Sequence, residues 1–209
     1  MSLLKLLTYW LIAWPALITF FLQGQRNKDK IIKDLSRFEW VQDGAESNGM
    51  LIMRLYKMLT CSVPFRSVYY MRVGHYAKLI RFLLPGQSTC GISATKTNKV
   101  GGGVYIQHGW GMVLDAESVG ENLWINQNVT VGYRGNGHPR IGNNVRIGSG
   151  AVVLGGITIG NNVNIGANAI VVEDVPDNCT VCSPKAKIVK YHTDPTMNAS
   201  LCSNTIAGG

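Results

Sequence analysis

The sequence predicts an all-β parallel β-helix entered through an α-helical N-terminal region, and three observations predict it. Residues 141–176 divide without remainder into six units of six, IGNNVR, IGSGAV, VLGGIT, IGNNVN, IGANAI and VVEDVP; Ile or Val always stands first, and Val, Ala or Ile stands fifth. A fixed period of this length is the mark of a solenoid in which each unit supplies one short strand and one corner, three units closing one triangular coil. Gly follows the first aliphatic in four of the six units, where a tight corner favours a residue without Cβ. Lastly, a helix is excluded over this stretch. Apolar residues six and four apart, with Gly and Asn between them, leave no continuous helical face.

Taken in order, the chain opens on residues 6–22, LLTYWLIAWPALITFFL, which carry no charge. Seventeen residues are short for a bilayer span, and Pro15 interrupts them. A cleaved leader is disfavoured: no small-residue cleavage site follows, and Arg26, Lys28, Lys30 and Lys33 come at once. Cations on both sides suit a segment that dips into one leaflet, with Trp10 and Trp14 at the headgroup boundary. A packed helical hairpin or an oligomer contact, and a true span, stay open beside that reading. Residues 1–25 are therefore set apart as an apolar leader and membrane anchor. Residues 26–90 form a helical region. Ile31, Ile32, Leu35, Phe38 and Val41 give an amphipathic helix over 29–41, residues 44–49 a loop, and residues 50–84 two helices divided at Ser62-Val63-Pro64. Arg66, Arg72, Lys78 and Arg81 read as an ordinary solvated basic face, and residues 85–90 as a linker.

The β-helix domain spans residues 91–190, with coils starting near Ile92, and residues 191–209 form a loose tail poor in apolar residues. With Val100, Ile106, Val113, Val119, Ile125 and Val131 read as first positions, the frame slips twice, by seven residues from Ile106 to Val113 and by ten from Val131 to Ile141. The first slip contains His108 and the second His138, two of the chain's four histidines. An insertion pushes side chains out of the repeating wall, where they meet a ligand without disturbing the core. An imidazole there suits general-base removal of a proton from a hydroxyl or amine.

Composition narrows the partners. The net charge of +8 sits in front: residues 1–90 carry twelve Lys/Arg against five Asp/Glu, residues 91–209 eight against seven. No basic stripe with interleaved aromatics appears, so nucleic acid is disfavoured and an anionic membrane surface is the better match. The five cysteines are scattered, and Cys179 and Cys182 have no second pair or nearby His to complete a metal site, so free thiols and no metal are expected.

Over residues 92–190 the chain resembles the left-handed β-helix acyltransferases, most closely serine O-acetyltransferase and the related polysaccharide O-acetyltransferases. QHGWGMV at 107–113 is similar to the family motif around its catalytic His, HPRI at 138–141 to a second family His after an extruded loop, and PFRSVYYMR at 64–72 to the helices before the coils. The resemblance implies that His108 is the base and that His138 places the acceptor or the oxyanion. It implies Ser93, Gln107 and Asp115 as substrate contacts, Ser93 and Gln107 standing where the family has Asp. It also implies acetyl-CoA as co-substrate in a groove between subunits of a homotrimer. Gly148, Gly150, Ala151, Gly155, Gly156, Gly166 and Ala167 would wall the groove, and Lys185 and Lys187 would reach phosphate. Transfer would be direct, with backbone N–H groups meeting the oxyanion. The expected activity is acetyl transfer to a hydroxyl, on a sugar in surface polysaccharide synthesis at the cytoplasmic face of the membrane. Serine O-acetyltransferase of cysteine synthesis and a non-catalytic trimeric scaffold are the alternatives.

Overall fold

In a computed structural model of the chain, residues 14–44, 48–78 and 99–189 are described. Residues 14–21 are helical, followed by α1 (Gln25–Asp43), α2 (Leu51–Cys61), α3 (Val63–Val73) and a 3-10 turn at Gly74–Tyr76. The spacing that makes α1 amphipathic buries Ile31, Leu35 and Phe38. Gly44 ends it in the left-handed conformation, where a residue without Cβ is unstrained. Ser62 both separates α2 from α3 and caps the latter, its Oγ accepting from the Phe65 N–H at 3.3 Å. Phe38 carries the helical packing onto the coils, its ring 5.3 Å from Phe65 and 4.7 Å from Tyr105, which in turn meets Trp124 at 4.8 Å.

Among the described residues twelve strands of two or three residues follow, all pairing in parallel. One sheet has the order β1 (Tyr105–Ile106), β4 (Trp124–Ile125), β7 (Arg146–Ile147), β10 (Asn164–Ile165), β12 (Thr180–Val181). The second runs β11 (Ile170–Val171), β8 (Val152–Leu154), β5 (Thr130–Gly132), β2 (Val113–Leu114), and the third β3 (Ser118–Val119), β6 (Arg140–Ile141), β9 (Thr158–Ile159). These are the three walls of a prism of about four turns, the parallel β-helix that the hexads predict. In the regular part, pairing joins residues 146 and 164, 152 and 170, 140 and 158, three hexads apart in each case. First and fifth positions point inward, and burying each Ile or Val contributes about 1.5–3 kcal/mol.

The fourth position of the hexad has its own cause. Gly103, Asn122, Asn128, Asn144, Gly150, Asn162, Asn168 and Asn178 all have φ between 56° and 80°, a left-handed corner that only Gly and Asn adopt cheaply. Stacked corners then bond through their side chains: Asn122 donates to Asn144 at 2.9 Å, Asn144 to Asn162 at 3.0 Å and Asn162 to Asn178 at 2.9 Å.

The frame departs from the sequence reading at two points. Val113 is 41% exposed and pairs with Thr130, while Leu114 pairs with Val131 and is buried, so Leu114 holds the inward first position. The first slip is thus eight residues long, from 106 to 114, and a short unit of five follows. Val175 bridges to Ile159 and so takes a first position only four residues after Val171.

The basic face of α3 is also corrected. Arg66 and Arg72 are buried, because Arg66 satisfies carbonyls that a helix end leaves orphaned and Arg72 pairs with a buried carboxylate and carbonyls of the first coil. Arg66 donates to the carbonyls of Leu59 and Thr60 at the end of α2. Arg72 donates to both oxygens of Asp34, at 2.8 and 3.1 Å, and to the carbonyls of Val100 and Gly101. Asp34 accepts the Val104 N–H at 2.8 Å, so this pair bolts the helices to the first coil. Burial pushes the Asp34 carboxyl above its ordinary range against the opposing pull of Arg72.

Of the leader, residues 14–21 pack Ala16 and Phe20 inward, with Tyr69 donating to the Ala16 carbonyl at 2.6 Å. Trp14, Ile18, Phe21 and Leu22 stay exposed. Among the described residues no helix is long and apolar enough to cross a membrane. Residues 6–13, Arg81, the linker, Ser93, the start of the coils near Ile92 and the tail lie outside the described residues.

Candidate active site

The longer first insertion shows why it exposes a histidine. Ile106 closes β1, Gln107 stays in the ladder through its N–H to the Ile125 carbonyl at 2.9 Å, and the backbone then turns left-handed at His108 (φ 66°), Gly109 (71°) and Gly111 (61°). Among the described residues His108 alone is neither Gly nor Asn at positive φ, a strain of about 1–2 kcal/mol of the kind that collects at functional sites. The turn is held by the Gly109 N–H on the Gln107 carbonyl (2.8 Å) and the Asn128 N–H on the Trp110 carbonyl (2.7 Å). His108 is exposed and borders a cavity of about 320 Å³ together with Gln42, Pro64, Tyr105, Gln107 and Trp110. This cavity lies within one protomer, between the helices and the first coil. Gln107 turns its carboxamide oxygen to the Trp124 indole N–H at 3.1 Å.

The second insertion lifts residues 133–139 off the wall between β5 and β6 and ties them down again. Tyr133 donates to the Gly135 carbonyl at 2.9 Å, Asn136 accepts the Gly156 N–H at 3.0 Å, and the Pro139 carbonyl accepts the Glu117 N–H at 2.8 Å. His138 lies against the Tyr133 ring, centroids 5.3 Å apart, with its Nδ1 3.4 Å from Asp115 Oδ2. Nδ1 is buried without a hydrogen-bond partner, so carboxylate and ring are neighbours that are not aligned. The structure therefore brings Asp115 to His138. It joins neither of them to His108 within the protomer.

The small residues assigned to the cofactor wall divide by cause. Ala151 is fully buried at a fifth position, so its methyl faces the dry interior and the assignment of Ala151 to an outer wall is corrected. A Cβ at Gly148 would sit 2.6 Å from the Ala167 nitrogen, one at Gly150 2.2 Å from Asn168 Oδ1, and one at Gly166 3.2 Å from Cys182 Cβ. Coil stacking alone thus demands glycine at 148 and 150 and leaves little room at 166. Gly155 and Gly156 back onto Asn136 of the second insertion. Ala167, Lys185 and Lys187 are exposed. Among the described residues no group of three or more His, Cys, Asp or Glu could hold a metal ion, and Cys61, Cys179 and Cys182 are free thiols.

Comparison with known proteins fits this frame. Residues 138–172 match the family model described as bacterial transferase hexapeptide (six repeats). A serine acetyltransferase of Helicobacter pylori is 32% identical over 154 residues, which cover 71% of this chain and 90% of that protein. The chain belongs to the serine acetyltransferase family of hexapeptide-repeat proteins. A Synechococcus elongatus serine acetyltransferase is 34% identical over 161 residues, covering 73% of the chain but only 65% of that protein. Among solved structures, serine acetyltransferase isoform 3 of Entamoeba histolytica in complex with cysteine superposes with a TM-score of 0.63 at 25% identity, over 92% of this chain and 70% of that one. The Neisseria gonorrhoeae enzyme in complex with serine gives 0.60 at 27%, over 85% and 73%. These relatives are serine acetyltransferases, not polysaccharide enzymes, so they favour serine over the sugar acceptor that the sequence reading put first. Sequence reasoning missed that Asp115 faces His138, since the contact joins residues one coil apart and no spacing rule signals it. It also missed the cavity beside His108, which needs α1 and α3 in place.

Proposed function

We propose that this chain transfers an acetyl group from acetyl-CoA to a hydroxyl, with L-serine as the acceptor. The observation that carries the reading is His108, displayed in a strained turn beside an open cavity on the family's β-helix. Acetyl-CoA supplies an activated thioester, and the exposed Lys185 and Lys187 are the residues of this chain suited to its phosphates. The imidazole of His108 takes the proton as the acceptor oxygen forms its bond to the carbonyl carbon. The carbon–sulfur bond then breaks, and the proton leaves with the CoA sulfur. Backbone N–H groups at the insertions stabilise the developing oxyanion. His138 places the acceptor, and the working unit is a homotrimer.

One observation favours a second acceptor. A serine ammonium calls for a carboxylate, yet position 107 offers a neutral amide already engaged by Trp124. A sugar hydroxyl makes no such demand. The exposed face of Trp14, Ile18, Phe21 and Leu22, followed by Arg26 and Lys28, supports contact with an anionic membrane surface where such acceptors are assembled.

The test is release of free CoA by the purified protein with L-serine, and separately with N-acetylhexosamines. Turnover with L-serine, lowered at least about a hundredfold in His108→Ala, is the expected result. Turnover with the sugars alone moves the acceptor. Failure of CoA to bind in calorimetry leaves only a scaffold.

A further inference from the structure

The pairing of His138 with Asp115 is absent from any spacing rule and has no part in the chemistry assigned to His108. The loop that carries His138 is pinned to the coils at two points, through Asn136 and Pro139, and braced within itself by Tyr133 on the Gly135 carbonyl, so the imidazole has a defined seat. Asp115 follows β2 and is held by its own N–H on the Val131 carbonyl at 2.9 Å, so the carboxylate is seated as well. Between them the ring Nδ1 is inaccessible, lacks a hydrogen-bond partner, and lies 3.4 Å from Asp115 Oδ2. A buried polar atom left unpaired is costly, and the carboxylate 3.4 Å from it is an acceptor. Proton placement on Nδ1, with a shift of about half an ångström, turns the contact into a charge-assisted hydrogen bond. The 29% exposure that the His138 side chain keeps belongs to the rest of the ring, since Nδ1 has none.

We propose that Asp115 is a positioning residue: it fixes the Nδ1–H form of His138 and so presents the Nε2 lone pair to the hydrogen-bond donors of the acceptor substrate. This rests on the acetyltransferase reading and gives Asp115 a role distinct from direct substrate contact. It makes the Asp115–His138 pair the device that selects an acceptor with a donor, an ammonium or a second hydroxyl, beside the reacting oxygen. His108 remains the group that takes the proton.

Two measurements decide it. Long-range proton–nitrogen NMR of the histidine rings reads the tautomer without need of turnover, with His138→Asn identifying the signals. The expected result is Nδ1–H in the native protein and Nε2–H, or a mixture, in Asp115→Asn. Nε2–H in the native protein overturns the proposal. Kinetics with the acceptor that drives CoA release should show Asp115→Asn raising the acceptor KM about tenfold, the worth of one hydrogen bond to a substrate donor. The kcat and the acetyl-CoA KM should stay within about twofold, with Asp115→Glu recovering most of the loss. An unchanged acceptor KM, or an equal fall in kcat, overturns the proposal too. Absence of any CoA release sinks the acetyltransferase reading, while the NMR still decides whether Asp115 sets the ring.

Discussion

Replacing Arg72 by Met tests the account of how the helices are fastened to the prism. The Arg72 and Asp34 side chains are 0% and 1% exposed, and the guanidinium makes four hydrogen bonds, two to the carboxylate and two to the carbonyls of Val100 and Gly101. Met fills similar volume but leaves the buried carboxylate without its countercharge, held by the Val104 N–H, and takes the guanidinium from the Gly101 carbonyl, while the Val100 carbonyl keeps the Lys30 ammonium at 2.6 Å. Removing one member of a buried pair costs about 3–5 kcal/mol, which for a chain of this size lowers Tm by roughly 6–20 °C. The assay is thermal and urea unfolding followed by circular dichroism, at several pH values. Burial already pushes the Asp34 carboxyl up, and Met removes the opposing pull of Arg72. An acid whose folded pKa exceeds its unfolded value of about 3.9 is most stabilising below that value and loses the contribution as pH rises through the folded one. The variant should therefore lose stability with rising pH more steeply than the native protein. The double change Asp34→Leu with Arg72→Met should recover part of the deficit, since no buried charge is then stranded. A loss under about 1 kcal/mol for Arg72→Met alone, without pH dependence, would refute the reasoning.

Two further outcomes follow from the coil geometry and the exposed leader face. Asn162→Ala places a Cβ-bearing residue without a local acceptor at a left-handed corner and cuts the side-chain ladder on both sides, so a loss of about 1–3 kcal/mol is expected in urea unfolding, with Asn162→Gly recovering the backbone share. Trp14→Glu with Phe21→Glu should abolish co-sedimentation with vesicles containing anionic lipid while leaving the circular dichroism spectrum unchanged, because both side chains are more than half exposed; equal sedimentation of both proteins would count against membrane contact by this face.

The hexads between 141 and 176 made the β-helix legible because inward aliphatics and left-handed corners are demands of the backbone, and any chain obeying them must carry Ile, Val, Gly and Asn at fixed intervals. His108 and His138 were legible for the complementary reason: both fall where the interval fails. Other features depend on neighbours that adjoin only after the chain has wound round the prism or folded back on it. Val113 and Leu114 are both aliphatic, and only the pairing of Leu114 with Val131 decides which one turns inward. Arg66 and Arg72 look like a solvated face until the carbonyls at the end of α2, the first coil and Asp34 surround them. Asp115 lies one coil from His138, and only the winding of the prism sets its carboxylate against the ring. Local periodicity thus determined the architecture and where it is interrupted, while burial of charge and the facing of one side chain on another were left to the tertiary structure, because they are properties of contacts between distant parts of the chain.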